Sequence, residues 1–505
     1  MSFSLISYRL QGIQALPVRM EVEVGPGMPV FSIVGMAGTS VQEAKDRVRS
    51  AITASEFRFP LTRKIVNLAP AELSKSGSQF DLGMALGLLV SSGQVLPTAE
   101  RVLVLGELGL DGSVRGVRGV LAALLMARRE GLVDVILPRD NLQEASLVKG
   151  LRVFPVRTLR EAVKVLCGEA VRGADEGMAG GIAPSLRDAV AEEGMDFADI
   201  GGHTAAKRAL LVAAAGGHHV LMSGPPGSGK SLLAEAFPSI LPPLETEELL
   251  EVLQIHSVVG GVGREHFARR PFRRIHSRAT PFQILGGGVG LVPGEVSLAH
   301  RGVLFMDEFA EFDRAVLEGL REPLEGKPLY LRHGKEAAIF PSRFQLLAAC
   351  NPCPCGYLGD REKSCSCQAR DVARYQRKLS GPIVDRLDLC VDVPRLPYED
   401  FALSALESSA QLRGKVEAAR ERQRARLKAH GLFVNQELTP KLLKAEKIDL
   451  STQEFLSRAS KTYALSGRAV HRTLKVARTL ADLDSSDWIT KGHAVEALHY
   501  RMRGV

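Results

Sequence analysis

The sequence predicts a multidomain α/β protein that ends in an all-helical block. Three observations carry that prediction. Strand-like and helical runs alternate over residues 1–167, a phosphate-binding loop sits between a strand and a helix mid-chain, and strand signal nearly vanishes after residue 396. At 505 residues the chain is too long for one ordinary core. Its 45% hydrophobic and 24% charged content is that of a soluble globular protein. No run approaches the ~18 apolar residues of a membrane span, and no basic start precedes an apolar stretch. A cytoplasmic location with no membrane partner is expected.

In chain order, Val18-Arg19-Met20-Glu21-Val22-Glu23-Val24, Val102-Leu103-Val104-Leu105 and Val133-Asp134-Val135-Ile136-Leu137 read as strands. Residues 40–54 and 119–130 read as helices between them, giving an N-terminal α/β domain over 1–167. Residues 168–195 begin rich in Gly and Ala without apolar periodicity and read as a linker. A nucleotide-binding block spans 196–396, and a helical block spans 397–505.

Gly224-Pro225-Pro226-Gly227-Ser228-Gly229-Lys230-Ser231 fits G-x-x-x-x-G-K-[ST] at every defined position. Gly224, Pro225, Pro226, Gly227, Ser228 and Gly229 turn the backbone so that its N–H groups close around phosphates. Lys230 reaches the β/γ-phosphates and Ser231 offers a hydroxyl to Mg²⁺. The apolar run before it and the helical run after it place the loop at a helix N-terminus, an anion site. ATP or GTP is the expected ligand.

A second element must hold the metal and activate water. Val303-Leu304-Phe305-Met306 is an apolar strand that ends in Asp307 and Glu308. Asp307 suits the metal through its water shell, and Glu308 suits the attacking water. A third strand, residues 344–350, ends at Asn351, which is either a turn residue or an amide directed at the γ-phosphate. Arg386 lies beside Asp385 and Asp388, and is either a structural ion pair or an arginine supplied in trans.

Together these elements resemble the AAA+ ATPases. Longer strings narrow the resemblance: Asp196-Phe197-Ala198-Asp199-Ile200-Gly201-Gly202, Pro293-Gly294-Glu295-Val296-Ser297-Leu298-Ala299-His300-Arg301-Gly302, and Asn351-Pro352-Cys353-Pro354-Cys355-Gly356-Tyr357. They resemble the YifB/ComM family of magnesium-chelatase-like AAA+ ATPases over essentially the whole chain. That resemblance implies ATP and Mg²⁺ as cofactors and a homo-oligomeric, usually hexameric, ring with active sites between subunits. It assigns Asn351 as sensor 1, Arg386 as the arginine finger and Arg468 as the sensor-2 arginine, with Arg472 as runner-up. It also implies a hairpin over residues 328–340 that points into the ring channel, with Arg332, His333 and Lys335 near its tip as DNA contacts. The glycine run at 284–291 belongs to a loop on the same channel. The implied activity is that of a DNA motor, a helicase or branch-migration enzyme acting on branched or single-stranded DNA without sequence preference. Its setting would be homologous recombination and natural transformation. The alternative is a chelatase-like remodelling ATPase acting on a protein partner.

Three features are read on their own terms. Cys353, Cys355, Cys365 and Cys367 form two C-x-C pairs on one short loop, a candidate Zn²⁺ site, although C-x-C is tighter than the common C-x₂-C. The N-terminal domain resembles the proteolytic domain of Lon through Phe31-Ser32-Ile33-Val34-Gly35 and Val66-Asn67-Leu68-Ala69-Pro70. The lysine of Lon's dyad has no counterpart in the stretch 118–124, so Ser78 is read as inactive. Lys45, Arg47, Arg49, Arg63 and Lys64 remain weak DNA candidates. Finally, residues 411–430 read as a basic helix able to follow a phosphate backbone, against the alternative of a solvated face, and Val470, Leu474, Ala477 and Leu480 as an apolar stripe with Arg468 and Arg472 turned to the nucleotide.

Overall fold

The computed structural model describes residues 2–98, 101–169, 195–260, 262, 269–334, 336–360, 362–379, 383–397 and 407–502. Lys335 and almost all of the segment read as a linker lie outside the described residues.

Strands Ser2–Gln11 and Gln14–Gly25 form a long antiparallel hairpin, from Ser2 opposite Glu23 to Gln11 opposite Gln14. Alternation explains its orientation: Val18, Met20 and Val22 are buried, whereas Arg19, Glu21 and Glu23 face water. The hairpin occupies the middle of a seven-stranded mixed sheet, in the order Phe31–Val34, Arg63–Ala69, Gln14–Gly25, Ser2–Gln11, Val102–Val104, Asp134–Pro138, Arg152–Val156. Helix Asp81–Ser91 is apolar all round and buried along its whole length on one face. Helix Val120–Arg129 covers the other face.

A second sheet is wholly parallel, in the order Phe272–Ile275, Val303–Met306, Gln345–Cys350, Val220–Ser223, Leu389–Asp392. Every residue of Val303–Met306 and Gln345–Cys350 is buried, as expected for strands covered on both faces. Because all five strands run the same way, their C-terminal ends share one edge, which carries the loops of the site.

Helices Ser409–Leu427, Leu450–Thr462, Gly467–Leu483 and Lys491–Met502 build the C-terminal region. The buried face of Gly467–Leu483 runs through Ala469, Thr473, Val476, Ala477 and Leu480. Val470 and Leu474 are only half-buried, so the stripe is rotated from the expected one; the alanine-rich helix Thr204–Gly216 packs against it. Among the described residues, no helix is long and apolar enough to cross a membrane.

The two sheets are joined through helix Thr246–Val259. Its Leu249, Val252 and Leu253 enter one apolar cluster with Leu121, Leu124 and Met126. Ser257 Oγ donates to Glu144 Oε2 at 2.5 Å, and Gln254 Nε2 donates to Ile13 O at 2.7 Å.

Candidate functional site

Strand Val220–Ser223 delivers the chain to the loop 224–231, and helix Lys230–Ala236 leaves it. The glycines are forced by space and by backbone. A Cβ on Gly224 would stand 2.1 Å from Val393 O, and Gly229 has φ +86°, the left-handed region that favours glycine. Lys230 is 8% exposed and donates to Gly224 O at 2.7 Å and Pro225 O at 2.8 Å. Burial lowers its pKa, against the pull of Cys350 and Asp307.

Asp307 and Glu308 follow the end of the neighbouring strand but one. Ser231 Oγ donates to Asp307 Oδ2 at 3.1 Å, so the hydroxyl and the carboxylate converge on one point beside the loop. That donor set, all hard oxygen, fits Mg²⁺. Glu308 sits at φ +52°, which turns its carboxylate away from the strand direction, and Ser277 Oγ donates to Glu308 Oε2 at 3.1 Å. Asn351 follows the central strand, its Oδ1 3.5 Å from Lys230 Nζ. Loop, acid pair and amide thus meet at one edge of the sheet.

Arg386 lies elsewhere. Strand Leu389–Asp392 pairs with Val220–Ser223 in parallel register, Leu389 beside Val220 and Asp392 beside Ser223. Arg386 precedes the start of that strand, whereas the phosphate loop follows the end of its neighbour. Four residues of strand, roughly 13 Å, separate the two levels. Arg386 is 7% exposed; its Nη2 meets Glu325 Oε1 at 2.8 Å and its Nε donates to Arg321 O at 3.0 Å. Arg468 reaches the same Glu325 oxygen at 3.5 Å, and Arg472 Nη1 meets Asp388 Oδ1 at 2.7 Å. Within one chain, therefore, neither Arg468 nor Arg472 faces the phosphate loop, contrary to the reading of the lid stripe.

The four loop cysteines come together. Their sulfur atoms all lie within 4.8 Å of one another, with Cys353–Cys355 at 3.4 Å, Cys355–Cys365 at 3.5 Å and Cys353–Cys365 at 3.6 Å. Tetrahedral thiolates around Zn²⁺ stand about 3.8 Å apart, so the donor set fits that ion. Main-chain N–H groups of Tyr357 and Ser366 draw the Cys355 thiol down to about 5. The loop leans on the nucleotide site: a Cβ on Gly356 would stand 2.5 Å from Pro226 Cδ.

The hairpin forms as Leu329–His333 paired with Glu336–Phe340, with Gly334 at φ +59° in the turn. Arg332 and His333 are exposed near the tip, and Tyr330 and Ile339 are 69% and 55% exposed on its strands. Its second strand rests on the N-terminal hairpin, where Arg9 pairs with Glu336 and Gln11 Nε2 donates to Ala337 O at 3.0 Å. Strand Gly286–Gly287 of the glycine run packs beside its first strand.

Comparison with known proteins settles the family. Residues 196–401 match the pattern described as magnesium chelatase, subunit ChlI; residues 20–141 match subunit ChlI of Mg-chelatase; and residues 406–501 match the ChlI C-terminal pattern. Competence protein ComM of Haemophilus influenzae is 39% identical over 507 residues, covering 99% of this chain and 98% of ComM. YifB of Escherichia coli is 38% identical over 508 residues, covering 99% of this chain and 97% of YifB. The chain belongs to the YifB/ComM family of magnesium-chelatase-like AAA+ proteins. An archaeal Lon protease of Methanocaldococcus jannaschii is 28% identical over 160 residues, 30% of this chain.

Residues outside the motifs complete the site. Ser277 and Arg274, the latter bridging Asp307 at 3.4 Å and Glu235 at 2.6 Å, lie on or just past a strand that only the sheet register brings to the acid pair. Part of the basic helix's charge turns inward: Arg413 donates to Ser239 O, Arg420 to Ala214 O and Arg426 pairs with Asp482, whereas Lys415, Arg424 and Lys428 stay exposed. Arg47 is likewise held by Asp81, and Lys64 by Pro60 O. In the Lon-like region Ser78 donates to Glu107, and the buried Lys75 to Pro70 O; among the described residues of that region no lysine–serine hydrogen bond forms.

Proposed function

We propose that this chain is an ATP-driven ring motor that moves branched DNA, as in homologous recombination and the uptake of transforming DNA. The observation that carries the reading is the division of charged groups between the two edges of the parallel sheet. Loop, acid pair and Asn351 stand at one edge; Arg386 and Arg468 stand at the other, about a strand length away. One chain cannot bring both halves to a single γ-phosphate, whereas head-to-tail neighbours in a closed ring can. Ser231 and Asp307 would hold Mg²⁺, which would supply positive charge against the phosphates. Lys230 orients the phosphates, Glu308 accepts the proton of the attacking water with its carboxylate aimed by Ser277, and Asn351 positions that water. Arg386 of a neighbour, having left Glu325, meets the charge that develops on the γ-phosphoryl group.

Arg332 and His333, with Lys335 outside the described residues, supply phosphate contacts without sequence reading. Cys353, Cys355, Cys365 and Cys367 would hold Zn²⁺, which would cross-link the loop that packs on Pro226. A second reading, a remodelling ATPase acting on a protein partner, draws on the exposed apolar side chains Tyr330, Ile339 and Val289 near the hairpin.

A four-way-junction assay separates them. The protein should resolve the junction with ATP, and Glu308→Gln should keep ATP binding while losing turnover by about 10²–10⁴-fold. ATP hydrolysis that persists without junction binding or strand displacement would reject the DNA motor.

A further inference from the structure

A cavity of about 410 Å³ opens at the edge of the parallel sheet remote from the phosphate loop, between the turn at 323–326 and the C-terminal helices. Six cationic side chains line it: Arg270, Arg301, Arg343, Arg420, Arg472 and Lys475. Four of them have carboxylate partners. Arg270 meets Glu248 at 2.7 Å, Arg301 meets Glu251 at 2.7 Å, Arg472 meets Asp388 at 2.7 Å, and Arg343 meets Glu437 at 3.6 Å.

Arg420 and Lys475 differ. Arg420 donates through Nε and Nη2 to the single carbonyl of Ala214, at 3.1 and 2.7 Å. Lys475 Nζ donates to Gln436 O. Among the described residues neither has a salt bridge. Glu248 and Glu437 attract Arg420 from a distance, and Asp388 and Glu437 attract Lys475, but Glu248 is forked by Arg270, Asp388 is paired with Arg472, and Glu437 is held by Arg343 and Phe433 N. Burial, with Arg270 nearby, draws Arg420 down to about 9, and burial lowers Lys475 as well. Two cations lining one cavity whose close acceptors are main-chain carbonyls are costly unless an anion joins them.

We propose that this cavity binds a small phosphorylated molecule whose phosphoryl group sits between Arg420 and Lys475. Two positive charges without a close ion pair match a phosphate dianion, and the hydrogen-bonding geometry of guanidinium and ammonium suits its oxygens. The volume lies within the range of small-molecule sites and exceeds what orthophosphate fills, and Leu241, Leu432 and Phe433 give the rest of the ligand an apolar wall. The walls come from the sheet edge at Gly302 and Gln345, from the 323–326 turn that leads into the channel hairpin, and from the helix carrying Lys475. A bound anion therefore ties the C-terminal helices to the base of that hairpin.

The test uses full-length Lys230→Ala protein, so that the phosphate loop lacks its lysine. Inorganic pyrophosphate and ADP are titrated separately without Mg²⁺ and followed calorimetrically. At least one probe should bind saturably, one per chain, and Lys475→Gln in the same background should weaken it on the order of tenfold or more. Stronger binding of pyrophosphate assigns a site for the phosphate group itself; stronger binding of ADP assigns a nucleotide. If the Lys475→Gln protein does not fold, Arg343→Gln, at a side chain 43% exposed, takes its place with the same expected direction. Absence of saturable binding by both probes, or binding unchanged by the cavity substitution, overturns the proposal.

Discussion

Arg386 Nη2 stands 2.8 Å from Glu325 Oε1, and the same oxygen lies 3.5 Å from Arg468. One carboxylate thus holds both Arg386, which the family resemblance assigns as the arginine finger, and Arg468, which it assigns as the sensor-2 arginine. Glu325 also closes the turn Pro323–Glu325, four residues before the hairpin strand Leu329–His333.

Replacing Glu325 by Gln removes a charge from a pair in which the Arg386 side chain is buried. We expect a loss of about 1–3 kcal/mol in unfolding free energy, because a buried guanidinium loses its charged acceptor. Denaturant unfolding of the isolated chain checks this. A variant as stable as the parent would show that the Glu325–Arg386 pair does not hold the arginine in place.

The cysteine loop bears on nucleotide binding through Gly356 and Pro226. Cys365→Ser should drop bound zinc below half an equivalent per chain and weaken ATP binding severalfold, since the loop behind Pro226 loses its clamp. Metal analysis of untagged protein and a nucleotide titration measure both quantities. Full zinc in the variant, or unchanged ATP affinity despite zinc loss, would separate the loop from the site.

Stability should fall as the solution is acidified. His219 is fully buried, with Nδ1 accepting from Leu346 N and Nε2 beside Leu324 O, and burial lowers its pKa from 6.5 to about 4. A depressed histidine binds its proton more readily when unfolded. Its contribution is therefore fully present above about pH 6.5 and is lost as pH falls from there toward 4. While unfolding takes up that one proton, the slope is about 1.4 kcal/mol per pH unit. His219→Gln should flatten the wild-type curve of unfolding free energy against pH by roughly one proton. Parallel curves for the two proteins would remove His219 as a source of acid sensitivity.

Much of this was legible before any fold was known, and the reason is locality. The residues 224–231 and the Asp307–Glu308 pair each lie in one short run whose spacing fixes its geometry, and the four cysteines lie within fifteen residues. Partners set by sheet register were not legible. Ser277 reaches Glu308 only because Phe272–Ile275 lies beside Val303–Met306, Ile275 opposite Met306. The inward part of the basic helix was hidden for the same reason: Ala214, Ser239 and Asp482, which take up Arg420, Arg413 and Arg426, are remote in sequence. The lid stripe was displaced by one position because the alanine-rich helix packs against Thr473 and Val476 as well as Leu480, and a polar Thr does not register as core.

The central claim, that one chain supplies the phosphate loop and its neighbour supplies Arg386, is tested most directly by mixing two inactive proteins. Lys230→Ala should fail to hydrolyse ATP for want of the loop lysine, and Arg386→Ala for want of the opposing charge. In mixed rings some interfaces pair an intact loop with an intact Arg386, so ATPase activity should partly return on mixing and rise with protein concentration. No recovery in mixtures that demonstrably co-assemble, or an Arg386→Ala protein as active as the parent, would contradict a site shared between subunits.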